Sequence, residues 1–87
     1  MPGDQTVGDL YKAEAIVEAD LDAAVEAYMS DPTISQFAIG AGYKLDLHAA
    51  VEASPFARVT MARDDASAHV KRTFVRLAIL LARPVKG

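Results

Sequence analysis

His48 and His69 are the side chains in this chain with the widest chemical scope. His69 follows Asp65 by four positions, which puts both on one helical face, and His48 follows Asp46 by two. A carboxylate beside an imidazole can orient it for metal ligation or proton transfer. A metal centre, however, needs three or four such donors converging from separate elements. The two pairs supply no spacing that closes such a set, and Asp64-Asp65 lacks the periodic oxygens of a calcium loop. We therefore read both histidines as exposed, pH-sensitive side chains and expect no metal and no cofactor. Ser30, Ser35, Ser54 and Ser67 are the available hydroxyls, and none sits in a glycine-flanked nucleophile elbow. Glu14 and Glu18, one turn apart, suit a solvated helix face. Gly40-Ala41-Gly42 lacks the preceding strand and following helix that a phosphate cradle requires. In 87 residues a ligand pocket would also compete with the core for space. The expectation is a protein that is not an enzyme and has no small-molecule substrate.

The basic residues carry a second kind of chemistry. Arg58, His69, Lys71, Arg72 and Arg76 gather on one face if a helix runs through them, a set able to contact phosphates over two or three turns. Three features oppose that use. Net charge is −3, no exposed aromatics are interleaved for base stacking, and the last helix turns apolar where a recognition helix would read bases. The charge is also divided along the chain. Residues 1–53 hold −8, two lysines against ten carboxylates, and residues 54–87 hold +5, seven cations against two aspartates. Packing of the acidic half on the basic half, within one chain or between two copies, accounts for this split as well as nucleic acid does.

The elements that must position these groups follow from periodicity and punctuation. Residues 1–8 read as a flexible lead, and residues 9–87 as a single helical domain. Asp9 is the expected N-cap of a helix whose face is Leu10, Val17, Leu21, Ala24 and Tyr28. The segment Asp20–Ala27 recurs as Asp46–Ala53 with one change, which predicts two short helical units, each capped by its Asp. Asp31-Pro32 and Ser54-Pro55 place a capping residue before a Pro at the first helical position. A short stripe, Ile34, Phe37, Ala38 and Ala41, follows the first of these pairs. Phe56, Val59, Ala66, Val70, Phe74, Leu77 and Leu81 keep helical register. Asp64-Asp65 and the β-branched Val59-Thr60 mark a possible break, with Asp65 capping a separate last helix. Pro84 stops that helix. The fold expected is all-α, a compact bundle of four or five helices with the long C-terminal helix central. The alternative is α+β, with strands near 11–19, 34–39 and 56–63.

From Leu77 to Ala82 every residue is apolar. With Val75 and Ile79 beside the main stripe, this end of the helix is greasy all round, and a helix of that kind is buried on all sides. Short partner segments hardly enclose it. Phe74, Val75, Leu77, Ile79, Leu80 and Leu81 are therefore the candidate interaction residues. Val75 and Ile79 in water would each forgo about 1.5–3 kcal/mol. With no cysteine, neither disulfides nor thiolate metal sites add stability. The chain shows no signal-peptide pattern and no apolar run near the roughly 20 residues a membrane span needs, so a cytoplasmic protein without membrane contact is expected. The function expected is non-catalytic protein–protein assembly, as a homo-oligomer or a small subunit of a larger complex. The alternative is a nucleic-acid accessory protein using the basic face.

Overall fold

The computed structural model describes residues 5–40 and 42–86. In chain order the elements are α1 (Val7–Lys12), α2 (Glu18–Ser30), β1 (Phe37–Ile39), β2 (Tyr43–Leu45), α3 (Leu47–Glu52), α4 (Pro55–Ala62), α5 (Ala68–Leu81) and β3 (Val85–Lys86). The architecture is the expected all-α bundle. The long last helix is its centre, since α5 packs against each of the other four helices. A small antiparallel sheet, ordered β1-β2-β3, closes one end of the bundle. Phe37 pairs with Leu45 and Ile39 with Tyr43, while β3 lies beside β2 through Tyr43–Lys86 and Lys44–Val85.

Local chemistry sets the helix boundaries, and several differ from the sequence expectation. Asp9 is not the N-cap of α1. Thr6 is, its hydroxyl accepting the Asp9 N–H at 3.1 Å while the Asp9 carboxylate accepts the Thr6 N–H at 3.0 Å. This reciprocal pair satisfies two otherwise orphaned donors. Residues 1–4 of the expected lead lie outside the described residues, and Val7 and Gly8 already belong to α1.

The single helix expected from Leu10 to Tyr28 is interrupted. Glu14 adopts φ 64°, the Glu14 N–H bonds the Tyr11 carbonyl and the Ala15 N–H bonds the Leu10 carbonyl. That is a Schellman termination with glutamate in the position usually held by glycine. Leu10, Leu21, Ala24 and Tyr28 are nonetheless all buried. Val17, which sits in the turn, is exposed.

Of the two aspartate-capped units, Asp46 caps α3 by accepting the Ala49 N–H at 2.9 Å. Asp20 instead lies in the first turn of α2 and reaches back to the Val17 N–H at 3.0 Å. Asp31-Pro32 opens no helix. The Asp31 carboxylate takes the Thr33 N–H and hydroxyl in a side-chain-closed turn, and the stripe that follows enters β1. Ala41, the last residue of that stripe, lies outside the described residues. Ser54-Pro55 behaves as expected, with Ser54 capping α4 and Pro55 in its first turn. The chain breaks between α4 and α5, and the cap of α5 is Ser67 rather than Asp65. Of the alternative strand positions, only 34–39 overlaps a strand; residues 56–62 are helical, and 11–19 hold helix ends and a turn.

The core is assembled on α5. Val75, Ala78 and Ile79 meet Leu21, Ala24 and Val25 of α2, Leu47 and Val51 of α3 and Ala57 of α4 in one buried cluster. Here the structure reverses an expectation: Val75 and Ile79 are both 0% exposed, whereas Leu77 and Leu81 face solvent. The cover that Val75 and Ile79 require comes from this chain's own helices.

A candidate partner-docking groove

The C-terminal end of α5 is held in place from two sides. The Val7 N–H at the start of α1 donates to the Ala82 carbonyl at 2.8 Å. Beyond it Pro84 is buried, and Val85 begins β3 against Lys44. The start of α4 is fixed by its Ser54 cap, and the start of α3 by Asp46. These ends enclose an open groove of about 860 Å³ between β2, β3, α3, the first turn of α4 and the last turn of α5. The groove runs over the alanines Ala49, Ala53, Ala78 and Ala82 and is walled by Pro55, Phe56, Leu81 and Val85. Lys44, Asp46 and Arg83 stand at its rim. Phe56, Leu81 and Val85 are 74, 75 and 66% exposed. Leu77 and Val70, at helical spacings of four and eleven before Leu81, continue an exposed apolar stripe down the outer side of α5.

The expected interaction residues thus fall into three groups. Val75 and Ile79 are core, Phe74 and Leu80 are half-buried, and Leu77 and Leu81 are exposed. Phe56 and Val85 were not expected to serve this surface. Phe56 carried a signal, because Ala57 and Thr60 are the small residues one turn apart that a tightly packed helix turns inward. Both are buried, and Phe56 is thereby placed outward. Val85 carried none, since its position depends on β3 pairing with a strand forty residues earlier.

The basic residues are largely occupied by carboxylates. Arg72 makes a two-point contact with Glu26 at 2.6 and 3.2 Å, and Arg76 one with Glu18 at 2.8 and 2.8 Å, with Asp22 3.7 Å away. The hydrogen bond from Arg76 holds the Glu18 carboxyl below its usual range, and the same bond raises the Arg76 guanidinium. Arg58 lies 3.7 Å from Glu52, and Arg63 pairs with Asp65 at 3.0 Å. The acidic N-terminal half therefore packs on the basic C-terminal half within one chain, chiefly through α2 and α5. Exposed pairs of this kind contribute about 0–1 kcal/mol each. Their structural effect is to orient α5 rather than to hold it.

Lys71 is half-buried, and His69 is exposed. His48 Nδ1 lies 3.0 Å from the Pro32 carbonyl, tying α3 to the turn after α2. Among the described residues no cluster of three His, Asp or Glu is able to hold a metal ion, and no helix is long and apolar enough to cross a membrane. Compared with known protein families, with curated proteins and with solved structures, the chain matches none.

Proposed function

We propose that this chain is a non-catalytic interaction protein that works as a small subunit of a larger assembly, with the groove at the end of α5 as its docking face. The observation that carries the reading is the exposure of Phe56, Leu81 and Val85 around a single groove. Full burial of such a side chain is worth about 1.5–3 kcal/mol. Three side chains that are two-thirds to three-quarters exposed therefore offer roughly 3–6 kcal/mol to a partner. Association itself costs an estimated 4–15 kcal/mol, so the groove needs the adjoining α5 stripe to hold a partner. The combined face suits a reversible partner better than an obligate one. Contact with nucleic-acid phosphates draws less support, because Arg58, Arg72 and Arg76 would first have to leave carboxylates of their own chain.

Site-directed photocrosslinking in native extract tests the reading. A crosslinker replacing Phe56 or Leu81 should yield adducts of discrete mass that are absent when the crosslinker replaces Asp22 on α2. Equal adducts from all three positions, or none from the groove, would refute it.

A further inference from the structure

We propose that the occupant of this face is an amphipathic helix of a partner protein whose apolar side is flanked by carboxylates. This rests on the docking reading above and adds the chemistry of the partner. From Ala66 to Gly87 the chain contains no Asp or Glu. The α5 stripe and the β3 wall are therefore built from a segment whose only charges are cationic. Lys44 is exposed at the groove and forms no ion pair among the described residues. The one carboxylate at the rim, Asp46, is already engaged by the Ala49 N–H at the start of α3. The face thus presents apolar side chains beside positive charge, and carboxylates on the occupant complement it.

Geometry selects a helix over an extended segment. Val70, Leu77 and Leu81 span eleven residues, about 16 Å of α5, which matches three turns of a second helix. The alanine floor lets the backbone of such a helix come close. The neighbouring edge strand β3 is only two residues long, too short to template an added strand. A second copy is the less suitable occupant. A twofold contact sets the same patch against itself, bringing Lys44 and Arg83 towards their own equivalents.

The test titrates the full chain with three synthetic helical peptides that share one leucine-rich face and carry Glu, Gln or Lys on both flanks, read by fluorescence anisotropy. The Glu peptide should bind about tenfold tighter than the Lys peptide, an advantage that shrinks as salt rises. Lys44→Glu should weaken the Glu peptide by about fivefold and leave the Gln peptide unchanged. Leu81→Glu, and independently Phe56→Ser, should abolish binding of all three with unchanged circular dichroism. Equal binding of the three peptides overturns the charge proposal while leaving the docking face intact. Binding of none of them overturns the docking reading as well. Light scattering that gives twice 9.3 kDa for the wild type and 9.3 kDa for Leu81→Glu would overturn the proposal in favour of a second copy.

Discussion

Replacing Ile79 by alanine and, in a second protein, Leu81 by alanine tests the assignment of the two faces of α5. The residues stand two apart, about 200° around the helix. Ile79 has no exposed surface and packs in the core formed by α2, α3 and α4, whereas three-quarters of Leu81 faces solvent. Removing the Ile79 side chain loses its transfer free energy and leaves a cavity in a close-packed interior, at a cost of about 2–5 kcal/mol. For 87 residues the whole stability is on the order of 4–13 kcal/mol, so that single change consumes a large share of it. Only about a quarter of Leu81 is buried, which limits its loss to under ~0.8 kcal/mol, and alanine's better helix propensity offsets part of that.

Thermal unfolding followed by far-UV circular dichroism reads both variants. At roughly 4–8 °C per kcal/mol for a domain of this size, a mid-range loss of about 3 kcal/mol at Ile79 lowers Tm by roughly 12–24 °C. Leu81→Ala should stay within about 5 °C of wild type. Comparable losses at the two positions would refute the placement of α5. A Leu81→Ala loss that grows with protein concentration would mean instead that Leu81 is buried between copies, because association makes Tm concentration-dependent.

Other perturbations test the joints of the bundle. Glu14→Gly should stabilise the fold by roughly 0.3–1 kcal/mol in urea unfolding, since glycine takes the observed φ of 64° without the penalty a side chain incurs. Gly40→Ala should destabilise it by about 2–4 kcal/mol. Its φ is also 64°, and an added Cβ would stand 2.9 Å from Cγ1 of the buried Ile16 and 3.1 Å from the Ala15 carbonyl. Stability should fall in acid. Asp9 is held below its usual 3.8 by the Thr6 backbone N–H, Glu18 below 4.5 by Arg76, Asp31 below 3.8 by Thr33 and Asp65 below 3.8 by Arg63. The unfolded chain binds protons first at these sites. Their contribution is therefore complete above about pH 5 and is lost as pH drops through the depressed folded values. An urea midpoint that stays level or rises from pH 5 to pH 3 would contradict this.

What was legible in the sequence was local. Ser54-Pro55 and Pro84 act through their own backbone, and Asp46 reaches only three residues on, so spacing alone placed them. Two breaks were not legible because their chemistry is unusual. The termination of α1 uses a glutamate where glycine is the ordinary sign, and Asp31 spends its carboxylate on Thr33 rather than on a helix. The phase of α5 is the instructive case. Between Phe74 and Ala82 both flanks of the helix are apolar, so hydrophobic periodicity leaves its inward sector undetermined. The charge split contained the missing constraint. If the acidic half packs on the basic half within one chain, Arg72 and Arg76 must turn towards α2, where Glu26 and Glu18 receive them. Val75 and Ile79, three positions on from each arginine, then lie beside that contact and enter the core. Leu77 and Leu81 are left on the opposite side. Surface pairs worth little in stability therefore decide which apolar residues the helix hides and which it offers to a partner.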